Sequence, residues 1–345
     1  MEHMLPQLKT DVLPPRDILK VDSPDFSENS SKLLSTICHE LRSPLAVIRG
    51  YTSLILEYDG DLENAEKLEY IESIDKAAGR LVEWVDDILD VSRLESSMLH
   101  LGKTLTNISE LTREAVSETH LRALNYKIQT VCHELRTPLA IIRGYTSLLL
   151  EYNGDLENAE KFEYVESIDK ATNRLVELVD DMLDMSRLES GMLRLEKTLT
   201  DISELTREAV SEALLRVPKY TIKLVIEEDI PCIRIDTRRI RQVLDNILDN
   251  AIEYSEEGTD ITVEITPREN ELLVSISDRG ISIPPGDLEK VFQPMFRLER
   301  QLPAGNRGVG LGLTICLGLI EAHGGRIWLD SNEGKGSTAH FTLPF

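Results

Sequence analysis

Residues 38–116 of this 345-residue chain occur again as residues 132–210, with 15 differences over 79 positions and a constant offset of 94. Most differences are mild, such as Val47 for Ile141 or Asp59 for Asn153. An ungapped repeat of that length is one folded module present twice, and whatever apolar face it carries must be covered twice. Each copy opens on nearly the same seven residues. The first runs Cys38-His39-Glu40-Leu41-Arg42-Ser43-Pro44, the second Cys132-His133-Glu134-Leu135-Arg136-Thr137-Pro138.

The apolar positions set the shape of the module. Ile128, Val131, Leu135, Pro138, Ile142, Tyr145 and Leu149 follow one another at alternating steps of three and four. Tyr70, Ile74, Ala77, Leu81, Trp84, Ile88 and Val91 do the same. That spacing is a heptad seam, which packs one helix against others. Asp59-Gly60-Asp61 and Asn153-Gly154-Asp155 break the pattern as turns. Two seamed helices joined by a short turn form an antiparallel hairpin, and such hairpins pair into four-helix bundles. Pro138 removes a backbone donor inside its helix, so a bend is expected one turn after the histidine.

His133 stands nine residues before Ile142. At about 100° per residue this is roughly half a turn round the helix, so the imidazole is expected to point away from the seam. Glu134 beside it can orient or deprotonate one ring nitrogen and leave the other as a nucleophile. His39 and Glu40 repeat the pair.

From about Leu195 the pattern changes. Ile222–Ile226, Ile261–Ile265 and Leu272–Ile276 alternate as strands do. Helical stretches fall at Arg238–Tyr254 and Leu311–His323, and the end of the chain, from Gly325, reads as a hairpin turning near 333–336. This predicts a mixed sheet with helices on one face. Three polar features fall within it. Asn246 and Asn250 lie four apart on one helix face and can face a common cleft. Asp278-Arg279-Gly280 follows a strand, where a carboxylate can accept a hydrogen bond and glycine allows close backbone approach. Gly308-Val309-Gly310-Leu311-Gly312 opens an apolar helix, and glycine-spaced amides at a helix start bind phosphate.

His-Glu-Leu-Arg-Thr-Pro-Leu resembles the phosphoacceptor box of sensor histidine kinases. The three C-terminal features, in that order, resemble the N, G1 and G2 boxes of the ATP-binding domain in the same family. Phe292-Gln293-Pro294-Met295-Phe296 and Gly336-Ser337-Thr338-Ala339-His340-Phe341 add to the likeness, which spans residues 28–345. It implies a multidomain chain: two all-α helical hairpins that form four-helix bundles, then an α+β sandwich of the Bergerat type. It implies the cofactors ATP and Mg²⁺ and a response-regulator receiver domain as partner. His133 is then the phosphoryl acceptor, with Glu134 as base and Thr137 aiming water at the regulator's phosphoryl-aspartate. Asn250 is the Mg²⁺ ligand with Asn246 beside it, Asp278 and Gly280 meet adenine, and 297–310 is a lid over the phosphates. Gly308, Gly310 and Gly312 line the phosphates, with Arg297 and Arg307 as partners for them. Two departures from the family pattern are expected to weaken ATP binding. Glu253 stands where a basic residue is common, and Ser282 replaces the second glycine of the G1 box.

The expected organisation is a flexible tail (1–27), a first hairpin (28–100), a connector (101–124), a second hairpin (125–194) and the ATP-binding domain (195–345). The connector matches 195–218, the start of the ATP-binding domain, whose remainder is absent from the first copy. Ser109–Ala123 can run as a helix straight into the second histidine helix. A formal charge of −23 argues against nucleic acid and anionic membrane as partners. No apolar run approaches the ~20 residues of a membrane span, and no basic-then-apolar leader opens the chain, so a cytoplasmic protein is expected. The four cysteines form no C-x-x-C pair. The duplicated seams allow two assemblies. Each hairpin can pair with a sister chain in a homodimer, the preferred reading because His133 keeps the family's connection to its ATP domain. Alternatively the hairpins can pair with each other. The functional expectation is an ATP-dependent protein-histidine kinase passing phosphoryl to an aspartate, with phosphatase activity. The alternative is a non-catalytic scaffold that binds regulators or sister kinases through its bundles.

Overall fold

The computed structural model describes residues 24–58, 62–97, 108–152, 156–256, 258–298, 310–332 and 334–345, and side chains within 38–89 and from 129 onward. Four long helices come first: α1 (Pro24–Glu57), α2 (Asn64–Ser97), α3 (Ile108–Glu151) and α4 (Asn158–Glu189). α1 starts on a proline, whose fixed φ and missing donor suit a first helical turn. The expected flexible tail lies, up to residue 23, outside the described residues, as do both Asp/Asn-Gly-Asp turns. α1 and α3 are continuous through Pro44 and Pro138.

α1 packs on α2 and α4, and α3 packs on α2 and α4. The four helices therefore close a bundle within one chain. The seam residues Leu135 (1% exposed), Ile142 and Leu149 (0%) face Ile74, Ala77 (0%) and Leu81 in its interior. Contacts between the hairpins come in pairs related by the repeat offset. Thr52 Oγ1 donates to Asp169 Oδ1 at 2.9 Å, and Thr146 Oγ1 to Asp75 Oδ1 at 2.8 Å. Arg42 meets Asp180 at 2.6 Å, and Arg136 meets Asp86 at 2.5 Å. The bundle is thus a pseudo-two-fold dimer made by one polypeptide. Here the structure departs from the preferred homodimer and takes the alternative. The physical reason is tethering: a joined hairpin with the same seam sits at an effective concentration of about millimolar, far above that of a sister chain.

The bundle leads through residues 190–197 into a second layer of structure. β1 (Thr198–Thr200) pairs with β3 (Ile233–Ile235), and α5 (Ile202–Arg216) lies between them in sequence. The main sheet has the order β2-β4-β5-β7-β6, formed by Thr221–Ile226, Asp260–Pro267, Glu271–Ser277, Gly336–Pro344 and Ile327–Asn332. β2 and β4 are parallel and the remaining pairs antiparallel. Ile261, Val263, Ile265, Leu272, Val274 and Phe341 are fully buried on one face. α6 (Thr237–Tyr254) and α7 (Gly312–Ala322) cover that face with Ile240, Leu244, Ile315 and Leu319. This is the mixed sheet with one helical layer that the strand pattern predicts.

Candidate nucleotide site and phosphoacceptor box

Three local structures place the cavity-lining groups. Asp236 caps α6 by accepting from the Arg239 amide at 3.1 Å. This fixes a helix whose apolar stripe faces the sheet, leaving Asn246, Asp249, Asn250 and Glu253 toward a cavity of about 280 Å³. Asp278 follows β5, and its Oδ1 accepts from the Gly280 amide at 2.8 Å and the Ser337 amide at 3.3 Å. Burial pushes this carboxyl above its ordinary range, and the two amides pull it back. A Cβ on Gly280 would lie 1.9 Å from the Tyr254 carbonyl oxygen, so only glycine lets this turn meet the end of α6. Gly310 has φ +74°, and a Cβ there would lie 2.8 Å from the Phe296 oxygen. Gly310 and Gly312 line the cavity at the start of α7, and Ile276, Ile281, Ile283, Phe296 and Leu329 add apolar wall.

The sequence-predicted residues therefore converge. Asn246, Asn250, Asp278, Arg297, Gly310 and Gly312 all line one cavity. Gly280 adjoins it through Asp278. Arg307 and Gly308 lie outside the described residues, as does most of the expected lid. Asn246 Nδ2 is buried with its side chain against the Cys316 thiol and no oxygen acceptor in the protein. A buried donor of that kind is open to an acceptor on a bound molecule or water.

The two departures sit differently from one another. Ser282 does not crowd the cavity. Its Oγ donates to the Asn332 carbonyl at 2.8 Å and accepts from the Gly334 amide at 3.0 Å, so it ties the turn to the β6–β7 hairpin. Glu253 does line the cavity, and burial raises its carboxyl above the usual range while Arg297 and Arg174 oppose that shift. Its charge is thus faced by two guanidinium groups as well as by Asp249.

His133 and His39 are both exposed, while their neighbours Cys132 and Cys38 are buried. Burial pushes the Cys132 thiol up to about 11 and that of Cys38 up to about 12. Glu134 Oε1 lies 3.9 Å from Arg297, and Glu134 Oε2 lies 3.9 Å from Arg174. Arg297 thus belongs both to the cavity wall and to the surroundings of the phosphoacceptor box. Thr137 is exposed one turn after His133.

Sequence reasoning missed the bundle's own contribution. Asp181 of α4 lines the cavity, and burial with the charges of Asp184, Glu177 and Asp180 pushes its carboxyl up to about 7. Asp184, one turn on, is 5% exposed and accepts from Arg239 Nη1 at 2.7 Å and Gln242 Nε2 at 2.8 Å. The available signal was an acidic run, Asp180-Asp181 and Asp184, inside a seamed helix.

Comparison with known proteins fits this arrangement. The family of the His Kinase A (phospho-acceptor) domain matches residues 29–97 and again 124–191. The histidine kinase-, DNA gyrase B- and HSP90-like ATPase family matches residues 235–345. The chain belongs to the sensor histidine kinases of two-component signalling. This kinase has a doubled phosphoacceptor module and one ATP-binding domain. It is 35% identical over 280 residues to the sensor histidine kinase WalK of Bacillus subtilis, covering 75% of this chain and 43% of WalK. It is 32% identical over 265 residues to the adaptive-response sensory kinase SasA of Crocosphaera subtropica, covering 74% and 66% of the two chains. The crystal structure of the histidine kinase ThkA in complex with the response regulator protein TrrA matches with a TM-score of 0.51 at 28% identity, over 70% of this chain and 68% of that one. The chain spans less than half the length of WalK and a quarter of the sensor protein KdpD of Clostridium acetobutylicum. Among the described residues no helix is long and apolar enough to cross a membrane.

Proposed function

We propose that this kinase autophosphorylates on His133 using ATP held in the cavity between α6, α7 and the sheet. The observation that carries the proposal is Arg297, which lines that cavity and stands 3.9 Å from Glu134, the neighbour of the acceptor histidine. The imidazole nitrogen attacks the γ-phosphorus, the bond to the bridging oxygen breaks, and ADP leaves. Glu134 takes the ring proton. Asp278 accepts from the adenine amino group, and Arg297 with the Gly310 and Gly312 backbone faces the phosphates.

The residues present fit Mg²⁺. Asn250 offers a carboxamide oxygen, and among the described residues no three acidic, histidine or cysteine side chains converge as a closed cage. Mg²⁺ at nucleotide sites is usually held this way, by one or two protein oxygens together with phosphates and water. When bound, it offsets the charge of the phosphates.

The phosphohistidine then passes its phosphoryl group to an aspartate on a receiver domain. Support for that partner comes from ThkA, whose complex holds a response regulator. Thr137, exposed one turn after the acceptor, would aim water at the regulator's phosphoryl-aspartate in a separate phosphatase reaction, which releases inorganic phosphate. We read the working unit as a monomer, with its bundle closed within one chain. The second reading is a non-catalytic scaffold, and Glu253 in the cavity beside Asp249 is the observation that favours it; Ser282, bonded to the β6–β7 hairpin, does not.

Incubation with labelled ATP and Mg²⁺ tests the reading. The parent is expected to gain acid-labile label, His133→Gln to lose most of it, and Asn250→Ala to lose it by about 100-fold or more, as when a positioning group is removed from a phosphoryl-transfer site. Label that persists in the His39→Gln/His133→Gln double variant would refute the site.

A further inference from the structure

The ATP-binding domain grips the bundle through a small set of α3 and α4 residues. Asp184 holds Arg239 and Gln242, Glu134 faces Arg297, and Asp181 enters the cavity. Leu188 lies against Gly318 of α7, where an added Cβ would come within 2.7 Å of the leucine side chain. Each of these four bundle residues has an identical residue 94 positions earlier: Asp90, Glu40, Asp87 and Leu94. The pseudo-two-fold cross-pairs show that α1 and α2 stand to the bundle as α3 and α4 do. The sequence therefore carries the gripping residues twice, while one ATP-binding domain is matched. The stretch that would begin a second such domain, Ile108–Glu118, repeats the sequence Ile202–Glu212 of α5 but is spent as the start of α3. On the second surface Glu40, Glu83 and Asp87 are exposed, whereas Glu134 is only 21% exposed beside its arginines.

We propose that this second surface, on α1 and α2, docks the ATP-binding domain of another copy of the same chain and so presents nucleotide to His39. Charge complementarity supports that occupant. The domain's docking side offers Arg239 and Arg297, and α1 and α2 repeat in sequence the acids that those arginines meet on α3 and α4, with Glu40 and Asp87 exposed. The contacts made in trans are those given up in cis, so the exchange costs mainly the tether. A short tether holds its domain at an effective concentration of about millimolar, so docking in trans is expected to be weak and to grow with protein concentration. The phosphoryl step at His39 rests on the kinase reading above. The docking itself does not.

Two full-length chains separate these. The donor, His39→Gln/His133→Gln, keeps its ATP-binding domain and lacks both acceptors. The recipient, His133→Gln/Asn250→Ala, keeps His39 and lacks a working cavity. Mixed with labelled ATP and Mg²⁺, the recipient is expected to gain label in proportion to donor concentration. Asp87→Arg in the recipient is expected to cut that label about tenfold, because it sets a cation on the face that must meet Arg239 and Arg297. The same substitution in the parent should leave His133 labelling unchanged. Unlabelled recipient beside a labelled parent overturns the proposal. So does His39 labelling in an Asp87-intact His133→Gln chain at a rate per molecule independent of its concentration, which would mean that its own domain swings across. If the parent itself takes no label, the kinase reading fails, and sedimentation of the full chain decides the docking. Concentration-dependent association weakened by Asp87→Arg supports it. Association absent, or indifferent to that substitution, overturns it.

Discussion

At the scale of single residues the cavity is defined as much by its acids as by its amides. Asp181 reaches it from the bundle, held up to about 7 first by burial and then by Asp184, Glu177 and Asp180. The sign follows from proton counts. Between about pH 4 and 7 the folded protein keeps a proton on Asp181 that the unfolded chain has released. Stability from this group is therefore greatest at low pH and falls as pH rises toward 7. Above 7 the folded state carries a penalty on the order of 1–4 kcal/mol. Asp181→Asn is expected to remove it. The variant should gain stability over the parent in urea unfolding at pH 8 and lose that advantage at pH 4. A gain independent of pH would mean that the carboxyl does not titrate in the fold. The charge also bears on ligand. An ionised Asp181 opposes phosphate, so ATP affinity in the parent should fall several-fold from pH 6 to 8, and in the variant much less.

Among the elements, the one that joins bundle to catalytic layer is the C-terminal half of α4. Arg239, with its side chain 13% exposed, depends on Asp184 for its countercharge, and Gln242 shares the same oxygen. Removing one partner from such a pair leaves the other charge buried and costs about 3–5 kcal/mol. Asp184→Ala should therefore lower the melting temperature and open residues 190–197 to limited proteolysis, while far-ultraviolet circular dichroism keeps its helical signal. The contact also marks where sequence stops informing. The seams, the strands and the order of Asn250, Asp278 and Gly310 were legible because period and spacing are local properties. Asp184 was not, because a buried aspartate on a helix cannot be told from a solvated one until the helix that meets it is placed. Ser282 shows the same limit from the other side. A side chain expected to weaken nucleotide binding instead satisfies the Asn332 carbonyl and the Gly334 amide, partners about fifty residues away in the chain. The eleven residues Ile108–Glu118 and Ile202–Glu212 are identical, yet the first extends α3 and the second forms a separate helix, α5, capped by Asp201. Context decides, and propensity does not.

For the whole molecule the question is what covers the seam. Leu41, Leu45, Ile48, Leu135, Leu139 and Ile142 are each 2% exposed or less, which needs four helices and not two. Burying a leucine or isoleucine side chain stabilises by about 1.5–3 kcal/mol, so a lone hairpin with its seam in water would not stand. In the full chain the second hairpin supplies the cover, and light scattering of dilute protein should return a single chain's mass of 39.0 kDa. Deleting residues 1–123 removes α1, α2 and the first part of α3, and with them that cover. The remaining hairpin keeps an unbroken seam and has only a sister molecule to place on it. The truncated chain is therefore expected to dimerise, with His133 of both chains on one bundle and both ATP-binding domains attached. Its melting temperature should rise with concentration, as for any fold completed by association, while that of the full chain stays constant in dilute solution. A truncated chain that remains monomeric and folded would mean that the seam does not drive assembly, and the account of why the duplication closes on itself would fail with it.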